Sequence, residues 1–292
     1  MIHITLSDGS VREYDQPLSV YELAASISLG LAKAAVAGRV EGVLVDCEFM
    51  IKADARVNIV TPQEPDGLEI LRRSCALMLA MAIKQLHPTA QSHEGRVVGD
   101  GFYHEFVVQR ALTQLDLPLI EARMHALSAT NHSIRRQGTT PLYRMGDFEL
   151  VSAGPHVPAT RVLQAFSVDH LCGTSTQRIY GTCWSCQQDL DQWLAPPHVV
   201  IVSMEECQAD YAQSVTETLR RSGVHARSDL RNEKIRYKIR EHSQSVPYLL
   251  VIGEKEKKGG FVSVRSRTGE DFGRMGIEVA CDWLASTKMA GH

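Results

Sequence analysis

The chain has 292 residues, 44% of them hydrophobic, and a formal net charge of −3 at pH 7. This is the composition of a globular chain long enough for two or three domains. It excludes both a disordered chain and a protein that attracts polyanions with its whole surface. No apolar run approaches the ~20 residues that cross a bilayer, and the first residues lack the basic and apolar regions of a signal peptide. Seven scattered cysteines, an odd number, predict reduced thiols. We therefore expect a cytoplasmic protein with no membrane partner.

Residues 1–62 are predicted to form a small β-rich domain. Strands are predicted at residues 2–7, where apolar and polar residues alternate, and at residues 11–14, 34–40, 42–45 and 57–60. Ser19 and Glu22 have the spacing of a capping box, so a helix should start after Ser19 and end near Gly30. Gly38 and Gly42 are predicted to mark bends between strands. Two strands, a helix and further strands are typical of a β-grasp fold.

Residues 63–194 are predicted to form a second domain with long helices and short strands. A helix of about twenty residues should be capped by Asp66 and end near Pro88, since apolar residues recur on one helical stripe. An aromatic strand at residues 102–106 and a second helix at residues 115–135 follow. Short strands and loops run to residue 181, and a helix at residues 187–194 leads into Pro196-Pro197, the predicted domain boundary.

Residues 195–292 alternate between predicted strands and helices. Strands are expected at residues 198–204, 225–229, 248–253 and 260–267, and helices at residues 205–221, 233–244 and 277–287. This order predicts an α/β layer with a central sheet. The apolar run Tyr248–Ile252 is predicted to be its fully buried strand.

A basic cluster lies in this last region. Between Arg220 and Arg240 there are two acidic residues and eight basic ones, namely Arg220, Arg221, Arg227, Arg231, Lys234, Arg236, Lys238 and Arg240. Basic runs usually form the solvated face of a helix, so charge alone does not predict a nucleic-acid site.

Three groups of motifs resemble bacterial threonyl-tRNA synthetases. The β-grasp pattern resembles the TGS domain that begins these enzymes. The middle region resembles their editing domain in Arg73-Ser-Cys-Ala76, Ala82-Ile-Lys-Gln-Leu86, Gly101-Phe-Tyr103, Leu112-Thr-Gln114, Gly154-Pro-His-Val-Pro158 and Gln177-Arg-Ile-Tyr-Gly-Thr182. The last region resembles their anticodon-binding domain in Trp193-Leu-Ala-Pro196, Asp229-Leu-Arg-Asn-Glu-Lys-Ile235, Lys238-Ile-Arg-Glu-His242 and Val246-Pro-Tyr248. The resemblance implies a multidomain α/β and α+β protein: a β-grasp domain, an α+β editing-like domain, and an α/β anticodon-binding domain with a central mixed sheet.

The family's catalytic core has no counterpart here. Between Thr182 and Trp193 these enzymes would insert a class II aminoacylation core that holds ATP, zinc and threonine, whereas this chain has about ten residues there. The resemblance therefore implies that the chain does not charge tRNA, and we expect no cofactor and no metal. Cys183 and Cys186 form a Cys-x-x-Cys pair, with His170 and Cys172 upstream, that would suit zinc or redox chemistry. Because a second pair is lacking, buried thiols are the preferred interpretation.

The editing-like region departs from the family at its reactive positions. The family has two histidines four residues apart on the first long helix, and these positions are Arg73 and Leu77 here. Its Cys-x-Gly-Pro-His turn reads Ser152-Ala-Gly-Pro-His156, and an aspartate before the cysteine is Leu150. A lone histidine lacks the partners that hydrolysis needs, so we expect the editing reaction to be lost or nearly lost. Arg73 could instead clamp a phosphate or carboxylate. A hydrolase or aminoacyl transferase with a rebuilt pocket around His156 is the alternative.

The anticodon-like region keeps the family's base-reading residues. The resemblance implies that Asn232, Lys234, Glu256 and Arg265 read unpaired anticodon bases, whose edges need both donors and acceptors. The cations Arg231, Arg236 and Lys238 are predicted to contact the RNA backbone. The leading hypothesis is a non-aminoacylating protein that binds tRNA, specifically tRNA(Thr), as an adaptor or regulator. A further alternative is a subunit of another synthetase, with the TGS-like domain as the protein contact.

Overall fold

The computed structural model describes residues 1–290, with side chains up to Thr287. The chain divides into two compact units, one from Met1 to Leu190 and one from Asp191 onward. Within the described residues, no helix is both long enough and apolar enough to cross a bilayer. The predicted domain limits at residues 62 and 194 stay predictions.

The first unit begins with a β-grasp fold. Its elements are β1 (Ile2–Leu6), β2 (Val11–Tyr14), β3 (Leu18–Ser19), α1 (Val20–Ile27), α2 (Leu29–Ala34), β4 (Ala37–Val40), β5 (Val43–Val45), β6 (Met50–Ile51) and β7 (Ala55–Val60). Five strands form a sheet in the order β2-β1-β7-β4-β5, in which β1 and β7 are parallel, and β3 pairs with β6. Helix α1 packs its buried face on this sheet.

Local capping residues decide where the first helices start and stop. The predicted capping box is confirmed, because Glu22 N donates to Ser19 Oγ (3.1 Å) and Ser19 N donates to the Glu22 carboxylate (2.7 Å). The predicted end near Gly30 is wrong, since Ser28 is extended and caps a second helix through Leu31 N (3.0 Å). Gly38 lies inside β4 and is not a bend. A Cβ there would meet Val20 at 2.7 Å, so glycine is needed for the close approach of α1.

The rest of the first unit packs around one long buried helix. Its elements are α3 (Pro65–Leu86), β8 (Gln91–Val98), β9 (Gly101–Val107), α4 (Leu117–Thr130), β10 (Ile134–Arg136), β11 (Leu142–Met145), β12 (Phe148–Val151), β13 (Ala165–Cys172) and β14 (Gln177–Trp184). Helix α5 (Gln187–Leu194) crosses the limit between the two units at Leu190. A four-stranded sheet has the order β13-β14-β9-β8, and a three-stranded sheet has the order β10-β11-β12. Helix α5 has the bounds predicted from the sequence. Asp66 does not cap α3. Glu64 is the N-cap residue, and Asp66 pairs with Arg39 from the first helical turn.

The second unit is built on a mixed sheet, as predicted. Its elements are β15 (Val199–Ser203), α6 (Ala209–Arg221), β16 (Ala226–Asp229), α7 (Ile235–His242), β17 (Tyr248–Ile252), α8 (Glu254–Gly259), β18 (Phe261–Ser266), β19 (Asp271–Gly276) and α9 (Ile277–Ala290). The strand order is β16-β15-β17-β18-β19, with the first three parallel and the last two antiparallel. The fully buried strand is β15 and not β17, because β15 lies between two parallel neighbours and has helices on both faces. Sequence patterns missed α8 and β19.

Helices cover the two faces of this sheet unequally. On one face, α6 and α9 pack with Ile201, Leu250 and Val264 into a single core. On the other face, α7 packs against Val200 and Leu249. This second face continues along β18 and β19 with half-buried and exposed side chains. An open half-face of the sheet therefore lies beside α7.

Candidate nucleic-acid interface and the His156 pocket

A buried carboxylate holds the loop between β16 and α7. The Asp229 side chain is 4% exposed and accepts hydrogen bonds from Arg231 Nε (2.9 Å) and Nη2 (2.6 Å) and from His242 Nε2 (2.8 Å). Burial alone would raise the pKa of Asp229, but the hydrogen bonds from Arg231 and His242 outweigh it and hold the pKa well below its usual range. The loop that carries Asn232 and Lys234 is therefore fixed at one end by an ionised anchor.

Two predicted RNA contacts belong to this anchor. The Lys238 side chain is 1% exposed, and its Nζ donates to the carbonyl oxygens of Ser203 and Asp229 (3.1 Å each). Burial lowers the pKa of Lys238, and Arg231 lowers it further, while Asp229 opposes the shift. The Arg231 guanidinium pairs with Asp229, Glu233 and Glu241. The prediction that Lys238 contacts RNA is wrong because its ammonium is buried, and Arg231 is corrected from a surface cation to a residue that holds the loop.

The other predicted residues of this loop and helix are accessible. Asn232 and Lys234 are exposed just before α7, and Arg236 is exposed in its first turn. Their side chains can reach a ligand without rearrangement of the loop. Base reading by Asn232 and Lys234 stays a prediction.

Glu256 has a structural role that the sequence did not indicate. Its carboxylate accepts from Gly253 N (3.0 Å) and from Ser263 Oγ (2.8 Å), which caps α8 and ties it to β18. Burial raises the pKa of Glu256, but these hydrogen bonds outweigh that effect and lower it. Each oxygen keeps a second lone pair, so an RNA donor can still bind an ionised, oriented acceptor.

Strand pairing brings Arg265 onto the same face as α7. Arg265 pairs with Leu249, and cross-strand partners point to the same side of a sheet. Leu249 packs under α7, so Arg265 projects beside that helix. Its guanidinium is exposed and lies 3.7 Å from Asp271. The cap of α8 and Arg265 thus border the open half-face, and the loop with Asn232 and Lys234 leads into the helix beside it.

Arg274 on this half-face was missed from the sequence. It pairs with Ser263, the residue that binds Glu256, and it is exposed. Its charge helps to lower the pKa of Glu256. No alternation pattern marks Arg274, because β19 is irregular.

The other candidate site is His156, which is 1% exposed. Its Nδ1 lies 3.1 Å from Ser74 Oγ, and its Nε2 lies 2.9 Å from Ser152 Oγ. Ser74 already donates its proton to the Ile70 carbonyl (2.7 Å), so His156 must donate from Nδ1 to Ser74. Nε2 is then left as the acceptor for the Ser152 hydroxyl. The structure thus supplies a serine–histidine pair in the tautomer that a general base needs.

The electrostatics around His156 oppose that use. Burial lowers its pKa to about 3, and the positive charge of Arg73 adds to the shift. The ring is therefore neutral but weakly basic, which reduces the driving force for accepting a proton. Arg73 is held by its own chain, because it pairs with Glu69 and donates to the carbonyl oxygen of Gly154 (3.1 Å). Its predicted role as an anion clamp stays a prediction.

A cavity of about 610 Å³ borders His156. Its walls come from residues 43–49 and from residues 134–158, both within the first unit. Asp46 joins the two walls, because its carboxylate accepts from Tyr143 Oη (2.8 Å) and from His156 N (2.9 Å). The cavity is large enough for a small ligand.

The two thiols of the Cys-x-x-Cys pair lie in different environments. Cys183 is buried in the core beside Cys75, whereas Cys186 is exposed. Zinc requires four ligands around a single centre. The preferred interpretation of a packed thiol therefore fits Cys183, and Cys186 is a surface thiol.

Models of two known domain families match the N-terminal and C-terminal parts of the chain. Residues 2–61 match the TGS domain, and residues 198–287 match the anticodon binding domain. The chain is thus a protein with a TGS domain and an anticodon-binding domain, and Asn232, Lys234 and Arg265 of the latter domain are exposed.

Its sequence is also similar to bacterial threonine–tRNA ligases. It is 41% identical to that of Legionella pneumophila (strain Corby) over 232 residues, which cover 66% of this chain and 36% of the relative. It is 39% identical to that of Nitrosococcus oceani over 229 residues, which cover 65% and 36%. The chain is threonyl-tRNA synthetase-like, as its motifs predicted, and the matched part spans about a third of the length of these relatives. Among solved structures, the RNA binding domain of threonyl-tRNA synthetase from Cryptosporidium parvum Iowa II matches 39% of this chain and 32% of that chain, at 24% identity and a TM-score of 0.30.

Proposed function

We propose that the chain binds tRNA through the anticodon loop, with preference for tRNA(Thr), and acts as an adaptor or regulator without charging the tRNA. The observation that carries the proposal is the open half-face beside α7, on which Arg265 is exposed, together with the exposed donors of Asn232 and Lys234 in the loop that leads into α7. Unpaired bases are read through such edge contacts. The buried Asp229 anchor supports the proposal, since a fixed loop loses little conformational entropy on binding.

The connection between β14 and α5 supports the absence of charging activity. Strand β14 ends at Trp184 and α5 begins at Gln187, so the chain continues from one to the other without an inserted domain. The relatives that it resembles are longer, and the match covers 36% of their length. The two residues between β14 and α5 leave no room for a domain that binds ATP at this place in the chain.

A filter-binding titration of tRNA transcripts at fixed salt tests the proposal. We expect tRNA(Thr) to bind more tightly than other tRNAs, and Arg265→Ala to weaken that binding by about 1–3 kcal/mol, the usual value of a bidentate base contact. Arg221→Ala is the matched control, because Arg221 is exposed and lies on α6, across the sheet from the half-face. Equal weak affinity for all tRNAs, or full affinity of Arg265→Ala, would contradict the proposal.

The hydrogen bond between Ser152 and His156 favours a second candidate function, cleavage of the ester in an aminoacyl-tRNA. In that reaction His156 Nε2 accepts the proton of the Ser152 hydroxyl, whose oxygen bonds to the ester carbonyl carbon; the bond from that carbon to the ribose oxygen breaks, and the proton passes to the ribose oxygen. Water, which gives its proton to His156 Nε2, then attacks the acyl-serine, and the amino acid is released as the Ser152 hydroxyl re-forms. The low pKa of His156 predicts a slow reaction. Amino-acid release from charged tRNA should disappear in both Ser152→Ala and His156→Ala. Absence of turnover with threonyl- and seryl-tRNA would eliminate this candidate. A protein contact through residues 1–62 stays a prediction.

A further inference from the structure

A β-bulge sets the orientation of the last strand. The pairing of β18 with β19 shifts register between Val264 and Arg265, since Val264 pairs with Gly273 and Arg265 pairs with Asp271. One extra residue, Phe272, is therefore inserted in β19. Gly273 has φ +76°, a left-handed conformation that glycine adopts without strain. This combination is typical of a bulge that redirects the side chains after it.

The bulge moves Arg274 from the core side to the open half-face. Phe272 and Met275 pack against the core formed by α6 and α9. In a regular strand, residues 272 and 274 would point to the same side. Because of the extra residue, Arg274 instead pairs with Ser263 on the opposite side.

Arg274 then lies over an aromatic ring. Its Cζ is 4.9 Å from the centroid of Phe261, which begins β18 and is half-buried. In the part of the chain that the structure describes, Arg274 forms no ion pair, whereas Arg265 lies 3.7 Å from Asp271. The ring supports the guanidinium, and the side chain remains exposed to a ligand.

We infer that Arg274 and Phe261 form a stacking platform for one unpaired RNA base, next to the position that Arg265 reads. Guanidinium planes and aromatic rings are the groups on which proteins stack unpaired bases. The positive charge of Arg274 complements the phosphates on either side of that base. The inference rests on the proposed anticodon binding and adds a contact that does not depend on base-edge hydrogen bonds.

The test uses the full chain and an anticodon stem-loop RNA. Arg274→Lys keeps the charge but removes the planar group, so affinity for the intact loop should fall about tenfold, the value of one base–aromatic stack. The salt dependence of binding should not change, because the number of cations is the same. In a series of stem-loops that each lack one loop base, Arg274→Lys should weaken binding to every member except one, the stem-loop that lacks the stacked base. Arg221→Lys is the control for a conservative change at an exposed arginine.

The outcomes separate the platform from other roles. If Arg274→Lys binds the intact loop like the wild type, or loses the same factor on every stem-loop of the series, Arg274 is at most a phosphate contact and the inference is overturned. Phe261→Leu should reproduce the loss by removing the support of the guanidinium. If the wild type binds no stem-loop, the proposed function fails with it. If the wild type binds and both variants have no effect, the inference alone fails.

Discussion

Lys238→Met distinguishes the role that the sequence indicated for Lys238 from the role that the structure gives it. The substitution keeps the length of the side chain and removes the ammonium. In the structure, that ammonium donates to the carbonyl oxygens of Ser203 and Asp229, at the ends of two parallel strands. We therefore expect a loss of stability in the second unit and not a specific loss of RNA affinity.

The size of the loss follows from these contacts. Each buried carbonyl that loses a donor costs about 1–3 kcal/mol. Removal of an attractive charge 3.9 Å from the Asp229 carboxylate adds to the loss, although Arg231 and His242 still neutralise that carboxylate. The ammonium no longer has to be desolvated, which offsets part of the cost. A net loss of about 3 kcal/mol is expected, which lowers the melting temperature of a unit of this size by roughly 10–20 °C.

Calorimetry and hydrogen exchange measure this effect. The melting transition of the second unit should move down, and amides in Val199–Ser203 and Ala226–Asp229 should exchange faster, since these strands end at the affected carbonyls. Lys234→Met is the matched control: Lys234 is an exposed lysine four residues earlier, and its loss should change stability by no more than about 0.5 kcal/mol.

A different pair of results would contradict the structural role of Lys238. In that case Lys238→Met would have the same melting temperature as the wild type and would lower the slope of log affinity against log salt concentration by about 1. Lys238 would then be a surface phosphate contact. The buried hydrogen bonds would then be absent in solution. The same salt effect is expected from Arg236→Met if the proposed interface is correct, because Arg236 is exposed and is predicted to contact the RNA backbone.

Two further predictions concern the first unit. Folding holds the pKa of His156 at about 3, below its value of about 6.5 in an unfolded chain, so the unfolded state binds more protons between these values. The contribution of His156 to the free energy of unfolding should be fully present above about pH 6.5 and should fall by about 1.4 kcal/mol per pH unit between about pH 6.5 and pH 3. His156→Gln should make the urea midpoint less dependent on pH in this range. An unchanged dependence would show that His156 is not buried in solution. In Gly154→Ala, the new Cβ would lie 1.8 Å from Tyr143 Oη, which donates to Asp46. This overpacking should lower the urea midpoint by the equivalent of about 1–3 kcal/mol, and a midpoint equal to that of the wild type would contradict the geometry around Gly154.

Features that depend on neighbouring residues were predictable from the sequence. The capping box of Ser19 and Glu22 and the bounds of α5 follow from local hydrogen bonds and local helix periodicity. Strand β8 was missed because its side chains are half-buried or exposed and give no apolar pattern. The error at Gly38 has a similar cause, since the close approach of Val20 is a contact between distant segments.

Sequence patterns predicted most of the helices and strands, and the motifs carried the resemblance to threonyl-tRNA synthetases and with it the mixed sheet of the second unit, but α2, β8, α8 and β19 were missed. Tertiary contacts, in contrast, determine which charged residues face solvent. Lys238 is buried because its ammonium bonds to Ser203, 35 residues away in the chain, and Arg274 is exposed because a bulge inserts one residue into β19. In the first unit, the Ser152–His156 pair has its tautomer set by Ser74, 82 residues before His156. Periodicity indicates that a residue lies on a helix or strand, but the side on which it lies is fixed by partners that folding brings from elsewhere.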